Sequence, residues 1–368
     1  MRALASSVVL LTLANCAHST DAPVIPQTFV PSQTLADPTR FDQYSAFSPD
    51  GSEYYLSVAD ADWNYRGILR SIRRNGAWSP FEPLPFVWGQ GKDGGEPFIS
   101  ADGAELFFVS AREGTRPAET GMTGSAGIVQ SGETDIYLAR RSGKDWSEPV
   151  RLTPPVNSRS NEWHPSVADD GTLYFASERG RQDGKADIYF SHRDPNGNYR
   201  DAERLGAPIN LDNSNDSDPF IAPDGSYLIF HSDRKGGFGE HDLYIAFRQP
   251  GGNWSEPQNL GGEINTAGWE MGPSVTRDGR LLLFTRRAAI RTDQPSRIYA
   301  VSAAVIDRFR FRLCQDRKVH FPSADAPEGG SGISKKACGR MLPSVRPLGA
   351  AMRAAGPYGS SRTGTTSP

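Results

Sequence analysis

The sequence predicts an all-β fold, a β-propeller of four-stranded antiparallel blades. Three observations lead there. An Asp-Gly pair recurs at Asp50-Gly51, Asp102-Gly103, Asp170-Gly171, Asp224-Gly225 and Asp278-Gly279, at intervals of 52, 68, 54 and 54 residues. Each pair lies between short β-rich runs, the signature of a hairpin. Between the runs there is no helical periodicity, and a repeat of about 50 residues with four short strands reads as one blade.

Taken in chain order, residues 1–15 read as a leader. Arg2 is followed by an apolar stretch from Ala3 to Ala14, broken only by Ser6, Ser7 and Thr12. That is the length of a signal-peptide core and short of the roughly 18 residues a membrane helix needs. The stretch runs into Leu13-Ala14-Asn15-Cys16, which resembles the lipobox of bacterial lipoproteins and marks Cys16 for lipidation. Asn15 departs from that pattern, and an ordinary secretory signal is the alternative. Ala17 after the cysteine favours an outer-membrane address, because the Asp that commonly retains such proteins at the inner membrane is absent. Residues 16–27 then form a linker, and the propeller is expected over 28–304.

Within each repeat the first two strands flank the Asp-Gly turn. Pro165-Ser166-Val167 leads to Leu173-Tyr174-Phe175, Pro219-Phe220-Ile221 to Tyr227-Leu228-Ile229-Phe230, and Pro273-Ser274-Val275 to Leu281-Leu282-Leu283-Phe284. A third strand carries Asp135-Ile136-Tyr137, Asp187-Ile188-Tyr189, Asp242-Leu243-Tyr244 or Arg297-Ile298-Tyr299. The fourth is marked by Trp78-Ser79, Trp146-Ser147, Tyr199 and Trp254-Ser255. The last repeat lacks this fourth strand, and Phe29 to Asp37 stands where it is missing. The N-terminal segment therefore closes a five-bladed ring. Six blades is the alternative, because Val305 to Phe311 alternates like a strand. Residues 305–368 form an extension that turns Gly-, Ser-, Pro- and Ala-rich after about 322 and reads as disordered there. Residues 113–134 read as a long loop inserted in the second blade.

Net charge is −3, which predicts no attraction to nucleic acid. No Gly-x-Ser-x-Gly elbow, phosphate loop or dinucleotide fingerprint occurs. Cys314 and Cys338 could form one disulfide in an oxidising compartment. The histidines lack zinc-site spacing, so no metal is assigned and no cofactor is expected, a calcium ion being the one unproven candidate. His231 and His241 could approach across the second and third strands of blade 4, where a solvent-exposed or hydrogen-bonding role is expected.

One acid stands eight positions before the Asp of four Asp-Gly pairs: Asp42, Glu162, Asp216 and Glu270. Blade 2 has Gly94 there, with Asp93 and Glu96 beside it. A Ser-x-Arg follows the second strand at Ser110/Arg112, Ser177/Arg179 and Ser232/Arg234, with Thr285/Arg287 as a variant. These groups, with Trp88, Trp163, His164 and Trp269, are expected on the face opposite the Asp-Gly turns, around the channel mouth. They serve there as blade-pinning ion pairs or as a polar binding site. Near-equivalent carboxylates around a ring lack the asymmetry that an acid–base pair needs.

The pattern Pro-Ser-Val-x-x-Asp-Gly-x-Leu-Tyr-Phe-x-Ser-x-Arg at Pro165 to Arg179, followed by Asp-Ile-Tyr, resembles the TolB-type, WD40-like repeat. Trp254 to Glu270, with Asn259-Leu260-Gly261 and Ile264-Asn265-Thr266, is similar to its periplasmic version. The resemblance implies a periplasmic propeller that contacts an envelope protein or polysaccharide through its channel face without catalysis. It touches the membrane only through a lipid anchor. The TolB N-terminal domain and the peptidoglycan-binding domain often fused to such repeats have no counterpart in the sequence. The alternative is a glycoside-hydrolase-like enzyme using the channel carboxylates.

Overall fold

The computed structural model describes residues 25–31, 35–37, 39–59, 66–88, 93–111, 134–289 and 294–316. Five antiparallel sheets follow one another along the chain. Their inner strands are Phe41–Phe47, Gly95–Ile99, Glu162–Val167, Asp216–Ile221 and Trp269–Val275. Each Asp-Gly turn leads to the second strand, with Gly at positive φ in all five turns (68–84°). That region favours glycine because there is no Cβ to clash.

The strands bury both faces, and the period of two decides which neighbour each residue meets. In blade 2, Leu106 and Phe108 pack against Tyr55 and Ile68 of blade 1, while Phe107 and Val109 pack against Leu173 and Phe175 of blade 3. Tyr174 points the other way, toward Leu228 and Phe230 of blade 4. Each such aromatic or aliphatic side chain contributes about 1.5–3 kcal/mol when fully buried, which no isolated blade could recover. Arginines in or just after the third strands add a second tie. Arg141 reaches Glu53 of blade 1 at 2.7 Å, and Arg193 reaches Glu105 of blade 2 at 2.7 Å.

The ring closes as the sequence predicts, with the closing strand slightly earlier. Gln27–Thr28 pairs antiparallel with Ala300 and Tyr299, and Phe29 donates its amide to Ile298 O at 2.8 Å before burying its ring against Tyr54. The six-bladed alternative is corrected: Val305–Asp316 is a helix. Val305, Ile306 and Phe309 are buried while Asp307 and Arg308 are exposed, a spacing that suits a helical face as well as the apparent alternation suited a strand.

Candidate functional site

Every inner strand carries a bulge within its first few residues. At the bulge, or directly after it in the case of Tyr44, the chain places one residue per blade at the same repeat position: Tyr44, Glu96, His164, Asp218 and Gly272. The last four have φ of 59°, 52°, 53° and 58°. For Glu96, His164 and Asp218 this left-handed backbone costs about 1–3 kcal/mol each, and it persists because the surroundings fix it. At Gly272 a Cβ would stand 2.3 Å from Tyr44 Cδ1, so only glycine fits beside that ring.

These bulge residues form an ionic cluster. His164 Nδ1 lies 3.0 Å from Glu96 Oε2, and His164 Nε2 lies 2.5 Å from Asp218 Oδ1. The amide of His164 also donates to Glu96 Oε2 at 2.9 Å, and that of Gly272 donates to Asp218 Oδ2 at 2.8 Å. Behind Glu96 stands Arg66, 3.4 Å away, which is held by Asp93 at 2.7 Å. Tyr44 covers the imidazole with ring centroids 4.8 Å apart. One cluster thus links all five blades.

Charge follows from the geometry. Burial works against a charged His164, but Asp218 and Glu96 outweigh it and raise its pKa, which matches an imidazolium donating from both nitrogens. Burial raises Glu96 against the pull of His164 and Arg66. Burial opposes ionisation of Asp218 too, yet His164 and His231 hold its pKa well below the usual carboxylate range. Burial drives the Tyr44 phenol well above its ordinary value.

The cluster lies at one end of a cavity of about 120 Å³. From there the lining continues along Pro97, Phe98, Val167, Pro219, Pro273 and Val275 toward the Asp-Gly turns. Arg277, which also lines it, makes a two-point pair with Asp169 at 2.7 and 2.9 Å, joining the turns of blades 5 and 3. The cavity is a largely apolar funnel with an ionic floor.

The acids singled out in the sequence lie elsewhere. Asp42, Glu162, Asp216 and Glu270 are buried, and none lines the funnel. Glu162 accepts from Ser158 N (2.9 Å), Ser158 Oγ (2.5 Å), Ser177 Oγ (2.8 Å) and Arg179 (3.0 Å). Asp216 accepts from Leu211 N (2.9 Å), Ser214 Oγ (2.5 Å), Ser232 Oγ (2.6 Å) and Arg234 (2.7 Å). Glu270 binds Thr266 and Arg286, and Asp42 binds Arg40. The arginines carry on to backbone carbonyls: Arg179 to Pro155 and Val156, Arg234 to Ile209, and Arg286 to Ile264. This is the blade-pinning geometry, and burial raises the pKa of Asp42, Glu162 and Glu270 despite it.

In blade 5 the expected partner is corrected. Glu270 faces Arg286 across the strand pair, whereas Arg287 is buried with its guanidinium 5.8 Å from the Phe41 ring. Trp163 lies under Arg66 at 5.7 Å, Trp269 is buried against His241, and Trp88 is partly exposed. Cys16, Arg112, residues 113–133 and Cys338 lie outside the described residues, as does the side chain of Cys314. Of the named residues, His164 and Glu96 reach the floor, the latter singled out beside Gly94. Asp218 and Gly272 were legible through one signal, since each directly precedes a proline at the same place in its repeat, as Glu96 and His164 do.

No family model and no curated protein matches this chain. Among solved structures it is similar to a TolB from Agrobacterium tumefaciens (20% identity, 67% of this chain and 70% of that one, TM-score 0.41). It is also similar to an α-L-arabinofuranosidase from Lactobacillus brevis (14%, 73% and 93%, 0.48) and an endo-arabinase from Bacteroides thetaiotaomicron (15%, 77% and 97%, 0.45). These are likenesses of overall fold. The chain is a five-bladed β-propeller, and TolB proteins are among the structures it resembles.

Proposed function

We propose that this chain is a non-catalytic binding propeller of the cell envelope, which receives a segment of a partner protein, or of a polysaccharide, in its funnel. One observation carries the reading: the two carboxylates at the funnel floor share a single imidazole. A glycosidase holds two carboxyl groups about 5–9 Å apart across a gap that the sugar enters. Here His164 fills that gap and is hydrogen-bonded on both sides. The apolar proline- and valine-rich wall suits the side chains of a protein segment better than a sugar, which would want aromatic platforms and free polar groups. The funnel replaces the opposite face as the contact surface in this reading.

Affinity capture from detergent-solubilised envelopes tests it, using the parent and Val275→Arg, a wall substitution whose fold is checked by circular dichroism. The parent should retain a partner that the variant loses by at least about tenfold, since a buried unpaired charge opposes docking. Equal capture by both would place the interface elsewhere. Release of reducing sugar by the parent, abolished in Glu96→Gln, would establish the enzymatic reading instead.

The address is part of the proposal. Export by the leader and lipidation at Cys16 would tether the propeller to the outer membrane, because several acyl chains on one residue anchor stably. Cys16→Ser should move the protein from the membrane fraction to the soluble periplasmic fraction. An unchanged distribution would contradict the anchor.

A further inference from the structure

His231 is the penultimate residue of the second strand of blade 4, Tyr227–Ser232, and His241 immediately precedes the third, Asp242–Phe247. Both are buried, 3% and 6% exposed, against Trp269 of blade 5. The exposed role that the sequence allows for them is not what the fold provides, and the pairing role is met at one nitrogen, His231 Nδ1, which lies 3.2 Å from Asp218 Oδ2. Nε2 of His231 and Nδ1 of His241 have no hydrogen-bond partner. An orphaned buried polar group costs about 1–3 kcal/mol, and two adjacent ones demand an occupant or a purpose.

We propose that His231 and His241 form a binding site for one divalent transition-metal ion of the zinc, nickel or copper type. Imidazole nitrogen is the ligand such ions prefer, and the spacing fits. A zinc ion about 2.0–2.1 Å from a nitrogen of each ring would stand about 3.2 Å from each ring centroid. The two centroids are 4.8 Å apart, a separation one ion can bridge: at that radius the centroid–metal–centroid angle is about 100°. Asp218 supplies the outer shell. Its Oδ2 pairs with His231 Nδ1 at 3.2 Å. A carboxylate there would hold the proton on Nδ1 and leave Nε2 for the metal. Among the described residues no third His, Cys, Asp or Glu completes a ready-made shell. The remaining positions therefore belong to water or to an exogenous ligand, and binding is weaker than at a four-ligand structural site. The ion would sit beside the carboxylate that latches the funnel floor, outside the funnel itself.

The test is calorimetric titration of the full chain, stripped with a chelator, with Zn²⁺ alone, in the parent and in a His231→Asn/His241→Asn variant. The parent should take up one ion that the variant does not, with affinity lower by at least about 100-fold for that site. Uptake elsewhere, at the cysteines or at His18 and His320, would survive in the variant and so be told apart. Should the variant not fold, Co²⁺ added to the parent gives the answer: visible absorption bands of a tetrahedral nitrogen site support the proposal, and octahedral aqueous Co²⁺ overturns it. Binding identical in parent and variant, or none in the parent, would also overturn it and leave an ordered water as the occupant.

Discussion

His164→Ala should lower the free energy of unfolding by about 3–5 kcal/mol, one of the two largest single-residue effects expected in this chain. The substitution removes the cation shared by two buried carboxylates, and an uncompensated buried charge is what makes breaking such a pair so costly. Glu96 would retain Arg66 at 3.4 Å, whereas Asp218 would retain the Gly272 amide and the neighbouring His231. The effect has a pH signature. The folded-state pKa of His164 is raised, so the stability it contributes is fully present below its unfolded value of about 6.5. That contribution is lost as pH rises through the higher folded value. The groups facing it are Glu96, Asp218, Arg66 and Tyr44. Urea unfolding at a series of pH values should therefore show parent stability falling above about pH 6.5 relative to His164→Ala. Parallel curves for the two proteins would show that the imidazole is not charged in the fold.

The second large effect concerns the pinning pairs. Asp216→Ala should cost about 3–5 kcal/mol, because it strands Arg234 and the hydroxyls of Ser214 and Ser232 in a buried site. A double-mutant cycle with Arg234→Ala should return coupling of at least about 2 kcal/mol. The Arg277–Asp169 pair is a useful contrast: equally short at 2.7 Å but roughly two-fifths exposed on both sides, it should be worth about 0–1 kcal/mol. If Asp216→Ala leaves stability within about 1 kcal/mol of the parent and instead abolishes partner capture, the carboxylates belong to a binding site after all.

Much of the architecture was legible because a propeller repeats its turn chemistry. The five Asp-Gly pairs locate five hairpins, and the missing outer strand of the last repeat points to the N-terminus, where Gln27–Thr28 indeed pairs with Tyr299 and Ala300. The pairing of the per-blade acids with arginines was equally readable from their spacing at Glu162/Arg179 and Asp216/Arg234. Val305 to Phe311 misled because a short apolar run with three interspersed charges, Asp307, Arg308 and Arg310, satisfies both periods. The floor of the funnel was harder to see for a different reason. Its residues reach the axis through bulges that hold Glu96, His164 and Asp218 at positive φ, a conformation that residue type alone does not announce. A pattern of alternating strand positions puts such residues on the wrong side of the strand. His231 and His241 were placed near one another correctly, but their burial depends on Trp269 of the next blade, a contact that no repeat-by-repeat reading supplies.

The central claim is that the funnel on the Asp-Gly face, and not the opposite face, receives a partner. Site-specific photo-cross-linking in intact cells tests it most directly, with the photoreactive side chain placed at Val275 on the funnel wall or at Trp88, a partly exposed residue that does not line it. The account predicts a discrete protein adduct from Val275 and none from Trp88. An adduct from Trp88 with none from Val275 would contradict it.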